Sequence, residues 1–496
     1  MRQELFSGLK PYLKKRFESY HGVVDLFAYF FERGLRLLKP GGRLGYISSG
    51  TFFKTGSGKP LREYLLREAT IEGVVDFGDL QIFNGVTTYP AILTMKRGAA
   101  PKGHELRFWK VGALPETNFQ ATWESVAGPY PQSALGAGSW ELENPALRAL
   151  KEKITNGKKS LRVIYGKPFR GVTTGRNDAF VVDQRTRDQL IAKDPSSSDI
   201  LLPWIEGKDL KRWYQEGRDQ WIIFARQGLD LTDYPAILEH LSAHRENLEP
   251  RPTNWKPTYP DEKWPGRKSG TYLWSEIQDK TAYWRKFSEE KIVSTKVSSQ
   301  PTFSVDRSGS VLSNTAYLID AKSDNEFVTA LLNSNVASFF FRSIFVVKSG
   351  GFFEIQPDGL SAFPIPPATD SQKSKTSDLA GALKLTAEER LTLQTALTRR
   401  IPDLCPPDRA PKLTTRLQEW WTLPDFAAFR AEVKKVFKVD IPLAERSAWE
   451  DWITRDRAEI ARLSAEITKA EAQIDSIVYA LFDLTPDEIA LLESVV

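Results

Sequence analysis

"LLKPGGRLGYISSGTFF", residues 37–53, decides how the first hundred residues are read. A Lys-Pro-Gly-Gly turn closes a run of apolar residues at helical spacing, because Pro40 cannot continue a helix and the glycines accept backbone angles that other residues avoid. "RLGYIS" (43–48) then reads as a short strand. A helix ended by such a turn and followed by an apolar strand is the unit that builds the later half of a nucleotide-type α/β domain. Here it stands within 40 residues of Met1.

On the N-terminal side, "VVDLFAYFFERGLRLL" (23–38) places Leu26, Phe27, Phe30, Phe31, Leu35, Leu37 and Leu38 near a helical period and predicts a helix with one buried face. On the C-terminal side, "KPLREYLLREAT" (59–70) reads as an amphipathic helix and "IEGVVDFG" (71–78) as a strand whose continuous apolar run suits a parallel sheet covered on both faces. "TYPAILTMKR" (88–97) is a last strand. The order fits one half of an α/β sheet ending in a hairpin. Half a sheet has an open edge, so residues 1–100 are expected to be unstable alone.

Beyond it, 101–154 reads as a connection, with Gly/Pro/Ser-rich text and one helix near "ENPALRALKEKI". From 155 to 367 short strands, turns and dense aromatics predict an irregular α+β or mostly β domain. Residues 368–440 are polar and Pro-rich and read as a linker with a helical insert. In 441–496, Ile460, Leu463, Ile467, Ala470, Ile474, Ile477 and Leu481 recur at helical spacing and predict a long amphipathic tail.

At 496 residues the chain predicts roughly three folding units at ~150 residues each. No apolar run approaches the ~18 residues of a membrane span, and polar sequence follows Met1 where a signal peptide would be apolar. A single cysteine, Cys405, excludes an intramolecular disulfide and a cysteine-built zinc site, so a cytoplasmic location is expected. The net charge of +5 is weak evidence for a nucleic-acid partner, but residues 1–70 alone hold 13 Lys/Arg against 6 Asp/Glu. A solvated helical face explains that surplus equally well.

Two stretches, "YLKKRFESYHGVVDLFAYFFERGLRLLKPGGRLGYISSGTFF" (12–53) and "LREYLLREATIEGVVDFGDLQIFNGVTTYPAILTMKR" (61–97), resemble the part of adenine-N6 DNA methyltransferases that follows their catalytic Asn-Pro-Pro-Tyr. The nearest likeness is to the Eco57I-like, type IIG restriction-modification group. "KPFRGVTTGRNDAFVVD" (167–183), "LLPWIEGKDLKRWY" (201–214), "EEKIVSTKVSSQPTFSVD" (289–306) and "ALLNSNVASFFF" (330–341) resemble a TaqI-like target-recognition domain, and "AQIDSIVYALFDLTPDEIALLE" (472–493) is similar to the tails of these enzymes. The resemblance implies the second half of a Rossmann-like methyltransferase sheet, an α+β target-recognition domain and a helical tail. It also implies double-stranded DNA as partner, S-adenosylmethionine as cofactor, methylation of a flipped-out adenine, and no metal.

The departures are equally informative. The Gly-containing cofactor loop and the acidic residue of the second strand are not found; "GAGSW" (136–140) follows no strand and opens no helix. The Pro-Pro pairs "IPPA" (365–368) and "CPPD" (405–408) supply neither the Asn nor the Tyr of the catalytic motif, so no catalytic residue is assigned. The chain opens "MRQEL" where the family has a stretch like "VRQEL" after its catalytic motif. The expectation is a truncated or split enzyme that needs a separate chain bearing the first half. The alternative is a non-catalytic specificity subunit acting with a partner methylase or nuclease.

By the same resemblance Phe83, in "DFGDLQIFNGVTTY", is the aromatic that stacks on the flipped adenine; an aromatic at that place also serves to cap a sheet core. Asp25 matches the family pattern, either as a direct participant or as a polar contact fixing a loop. DNA recognition needs donors for base edges and cations for phosphates. "FRGVTTGRNDAF" gathers Arg170, Thr173, Thr174, Arg176 and Asn177 around two glycines. Residues 251–296 interleave 10 Lys/Arg and 6 Asp/Glu with aromatics, of which Trp274 and Trp284 are read as core anchors. Lys348, in "VVKSGGFFEI", is a weaker phosphate candidate. His240 and His244 lie four apart without the Glu of a zincin, and no metal site is expected.

Overall fold

The computed structural model describes residues 3–496 apart from 79, 84–88, 113, 116, 117, 137, 141, 143, 144, 218, 260, 346–350 and 408. The chain divides into two compact units, Met1–Glu152 and Lys153–Val496.

In the first unit, Leu38 leaves helical geometry as an extended residue, and Gly41 (φ +78°) turns the chain so that its N–H donates to Arg97 O at 2.9 Å. The elements are α1 (Lys10–Arg16), α2 (Phe27–Leu37), β1 (Arg43–Ser49), α3 (Lys59–Glu68), β2 (Ala69–Asp76), β3 (Pro90–Arg97), β4 (Glu105–Lys110), α4 (Phe119–Val126) and β5 (Gly128–Pro131). Helix α2 buries Ala28, Tyr29, Phe31 and Leu35, while Phe30 and Leu37 of the expected apolar face are exposed. It carries more apolar residues than one face holds. Glu32 takes a core position instead, and its buried carboxylate accepts the N–H groups of Ser19 (2.8 Å) and Glu18 (3.1 Å).

The sheet runs β1-β3-β2-β4-β5. Strand β3 lies between β1 and β2 and is antiparallel to both, so β1 and β2 run the same way with α3 as their crossover. Among the described residues, β3 is the one strand neighbour of β1. The expected β2/β3 pairing is present, but the sheet does not stop at Arg97. Strand β4 pairs parallel to β2, β5 pairs antiparallel to β4, and Trp140 and Leu142 join the same core. The connection expected over 101–154 therefore supplies sheet and core. Its strands are four to six residues long and set in Gly/Pro-rich text, which hid them.

The second unit has two four-stranded sheets. The strands of these two sheets are β6 (Phe169–Arg170), β7 (Val181–Asp183), β8 (Leu201–Ile205), β9 (Gln220–Ile223), β10 (Lys291–Thr295), β11 (Phe303–Asp306), β12 (Val311–Leu312) and β13 (Ala316–Ile319). One sheet runs β12-β8-β9-β7 and the other β11-β10-β13-β6; Ile222, Leu312, Val293 and Leu318 bring both into one core. The sheets meet at Gly171, whose N–H donates to Ala316 O (3.0 Å) while Val172 N–H donates to Leu312 O (2.7 Å). A Cβ on Gly171 would stand 2.0 Å from Ser313 O. Gly171→Ala is therefore expected to destabilise this unit by roughly 1–3 kcal/mol, the usual cost of overpacking. An unchanged urea midpoint would contradict the crossing.

Helices complete the unit: α5 (Asn325–Asn333), α6 (Asn335–Ile344), α7 (Asp370–Thr398), α8 (Phe426–Phe437), α9 (Arg446–Leu481) and α10 (Pro486–Glu493). The 29-residue α7 begins at a Thr369/Gln372 capping box and packs first on α5, then along the 36-residue α9. Helix α9 returns to α6, where Asn335 N–H donates to Asp475 Oδ1 at 2.7 Å. Between the two arms Ile401, Leu417, Trp420, Phe429, Val433, Phe437 and Ile453 form a core. The stretch 368–440, expected as a linker with a helical insert, is thus an arm helix and a packed helical subdomain. Its prolines start turns and helices rather than marking a flexible chain: Pro402 opens the short helical turn Ile401–Leu404. Among the described residues no helix is long and apolar enough to cross a membrane.

Candidate nucleic-acid interface

From the sheet crossing at Gly171 the chain enters the loop that carries most of the expected contact residues. Gly175 has φ +83°, and a Cβ there would meet Arg267 Cδ at 2.7 Å. Thr173 N–H donates to Asp279 Oδ2 (2.8 Å). Thr174 is 1% exposed; its hydroxyl donates to Asn177 Oδ1 (2.6 Å) and accepts Arg176 N–H (3.0 Å). Thr174 therefore shapes the loop and offers nothing to solvent. Arg170 is exposed, donates to Thr173 Oγ1 (2.8 Å) and lies 3.9 Å from Asp279; Arg176 is half-buried against Asp178 at 3.2 Å, and Asn177 is exposed.

A buried arginine holds the loop in place. Arg267 is 3% exposed, and all five of its N–H groups are committed to main-chain carbonyls. Nε donates to Leu248 O (2.8 Å), Nη1 to Thr174 O (2.9 Å) and Glu276 O (2.7 Å), and Nη2 to Leu273 O (2.9 Å) and Trp274 O (3.0 Å). The guanidinium also lies 4.4 Å from the Tyr272 ring centroid and 5.5 Å from that of Phe180. Burial pulls its pKa down to about 10, so it remains a cation at neutral pH. It ties the 173–177 loop to the aromatic segment 264–278.

Around this loop stands a cationic surface. Arg226 and Arg285 flank Trp284 at 4.5 and 4.8 Å from its centroid. The neighbouring Tyr283 hydroxyl donates to Arg170 O (2.6 Å), and exposed Asn314 reaches Thr173 Oγ1 at 3.4 Å. Asp279 and Asp178 are carboxylates beside Arg170 and Arg176 of the loop. Trp274 and Trp284 are half-buried against the core, with Arg245 lying 4.9 Å from the Trp274 centroid. Arg226 and Asn314 carry no local sequence signal; Arg285 lay within the basic and aromatic run.

The other candidates stand apart. Phe83 is 44% exposed after β2, and its carbonyl accepts a hydrogen bond from Gln81 Nε2 (3.1 Å). Lys348 lies outside the described residues. Asp25 is half-buried, and its carbonyl accepts Ala28 N–H (3.2 Å) as α2 begins. His240 packs against His244 with ring centroids 5.4 Å apart, and burial lowers its pKa. Among the described residues no three His, Cys, Asp or Glu side chains are grouped to hold a metal ion.

Comparison with known proteins places matches along most of the chain. Residues 1–83 match the Eco57I restriction-modification methylase family and 202–365 the TaqI-like C-terminal specificity domain; 369–478 match a domain of unknown function, DUF8810. The type II methyltransferase M.PaeR7I of Pseudomonas aeruginosa is 29% identical over 49% of this chain and 44% of its own length. M.XhoI of Xanthomonas vasicola is 28% identical over 51% of this chain and 48% of its own. The chain thus spans less than half the length of these curated relatives. Among solved structures, that of the type IIL restriction-modification enzyme MmeI in complex with DNA superposes with a TM-score of 0.50 at 12% identity, covering 98% of this chain and 54% of that one. This last likeness is one of fold.

Proposed function

We propose, from the premise that the chain belongs to the type II restriction-modification methyltransferase family, that its second unit reads duplex DNA for an enzyme that methylates adenine at N6. The observation that carries the reading is the surface formed by Arg170, Arg226 and Arg285 around a loop fixed from behind by Arg267. Arginines there supply phosphate contacts, and Asn177, Asn314 and Thr173 supply short polar groups for base edges. Such a loop must keep its shape when the protein is free: Arg267 reaches it at Thr174 O and commits its other four hydrogen bonds to the carbonyls of Leu248, Leu273, Trp274 and Glu276 behind it, while Asp279 holds Thr173 N–H, all without any contribution from DNA.

S-adenosylmethionine would supply the methyl group. The glycine that opens α3 does not make a cradle for it. Gly58 precedes α3, but a Cβ there would stand 2.3 Å from Phe52 O, so its bareness serves packing. Cofactor binding is therefore not assigned to Gly58. Phe83 would lie against one face of the extruded adenine, a contact worth on the order of 1–3 kcal/mol by analogy with single-strand binders.

Arg226→Glu/Arg285→Glu is expected to weaken binding to mixed-sequence duplex DNA and to flatten the slope of log K against log salt by about 0.9 for each phosphate that is no longer neutralised. Wild-type affinity and slope in the double variant would overturn the reading. The base modified is tested with labelled S-adenosylmethionine and this chain supplemented with a chain bearing the first half of the methyltransferase domain: label recovered at adenine N6 supports the assignment, and label on cytosine or on no base overturns it.

A further inference from the structure

The helical subdomain carried between α7 and α9 presents a second concentration of positive charge, far from the recognition loop along the chain. Five cations gather around the C-terminal end of α8, and Lys412 lies in the chain between two of them. Lys434, Lys435 and Lys438 come from α8 and its left-handed cap, where Lys438 has φ +60°. Arg409, Lys412 and Arg416 come from the preceding segment. That segment is fastened to the helix by Glu432, a carboxylate only 4% exposed, which accepts the Thr414 hydroxyl at 3.1 Å and lies 3.6 Å from both Arg416 and Lys435. Arg409 Nη1 donates to Phe437 O at 3.1 Å, at the last turn of the helix.

Charges at a helix C-terminus commonly do no more than complement the macrodipole. That account covers the three lysines of α8 and Arg409, which caps Phe437 O, and Arg416 is paired with Glu432; it gives no role to Lys412. Lys412, Lys434 and Lys438 are exposed, and their ammonium groups make no hydrogen bond or ion pair with a described residue. The carboxylate next in sequence, Asp440, is already engaged by Arg430 and Arg446. Like charges held together without partners cost free energy, and an anionic partner relieves that cost.

We propose that this patch is a second DNA contact, binding phosphates of the duplex that the recognition loop holds. It rests on the reading of the second unit as DNA-binding and extends it to a part of the chain whose matching family model is a domain of unknown function. The patch stands at the far end of a two-helix arm. The 29 residues of α7 span ~44 Å at ~1.5 Å per residue, which along a duplex corresponds to about 13 base pairs. The arm therefore lengthens the DNA engaged on one side of the recognition site, with phosphate contacts that add affinity and no sequence preference.

The test compares the full chain with the triple variant Lys412→Ala/Lys434→Ala/Lys438→Ala, whose replaced side chains are exposed and take no part in the core. On a mixed-sequence duplex of about 40 base pairs, the variant is expected to lose about 2–3 in the slope of log K against log salt. On a duplex of about 12 base pairs, too short to reach both surfaces, the two proteins are expected to bind alike. Equal slopes on the long duplex would overturn the second contact while leaving the first intact. Failure of the wild-type chain to bind either duplex would overturn both.

Discussion

Arg267→Met is expected to destabilise the second unit by roughly 3–5 kcal/mol and to abolish DNA binding under conditions where the wild type binds. The balance of terms favours a large effect. Removing a buried cation recovers its desolvation cost, and methionine fills much of the volume. Against that, the carbonyls of Thr174, Leu248, Leu273, Trp274 and Glu276 lose their donors together in a site too closed for water to replace them. At roughly 1–3 kcal/mol for each polar group left unsatisfied, even partial relaxation leaves a deficit larger than the recovered desolvation. Arg267→Lys keeps the charge but offers three donors in place of five, and should fall between the two. Urea denaturation measures the stability; salt-dependent DNA binding, taken well below the midpoint, measures the loop. If Arg267→Met kept the wild-type midpoint, Arg267 would not be the anchor of this loop. If stability fell while DNA affinity in the folded range held, the loop would not be the DNA contact.

How much of this was legible beforehand follows from the range of each interaction. The turn at Lys39–Gly42, the strand after it, α3, β2 and β3 are local patterns, and all appear where the periodicity and turn chemistry put them. The position of β3 between β1 and β2 is a pairing choice between distant segments, and no local pattern carries it. Strands β4 and β5 escaped notice because four to six residues give too short a run to register as a strand. The subdomain at 401–460 was obscured by its prolines and charges, and the burial of Trp420 in its core is seen only in the fold. The same division runs through the candidate site. Arg170, Thr173, Arg176 and Asn177 could be picked out because one loop holds them. Thr174 shared their composition but points inward, and Arg226 and Asn314 join them only through the fold. Arg267 was counted among the basic residues of 251–296, yet its burial and its reach to Thr174, 93 residues away, could not be read from spacing.

Asp475→Asn is expected to stabilise the protein above pH 6 by up to about 3 kcal/mol and to leave it unchanged near pH 4. Asp475 sits on α9 where that helix meets α6, 8% exposed, with its carboxylate accepting Asn335 N–H at 2.7 Å. Burial raises its pKa from 3.8 to about 6, with Glu471 and Glu493 adding to the shift and Asn335 N–H and Arg212 opposing it. Because the folded value lies above the unfolded one, the native state binds the extra proton between pH 4 and 6, and stability falls as pH rises through that window. Two pH units at about 1.4 kcal/mol each give the size of the effect. Asparagine retains an oxygen for the Asn335 N–H but cannot ionise, so it escapes the penalty. The quantity to measure is the difference in unfolding free energy between variant and wild type at several pH values from 4 to 8, in which the other titrating groups largely cancel. That difference should grow across the window and level off above pH 6.5. A difference independent of pH would mean that Asp475 is ionised throughout, and that the hydrogen bond to Asn335 N–H and the charge of Arg212 outweigh its burial.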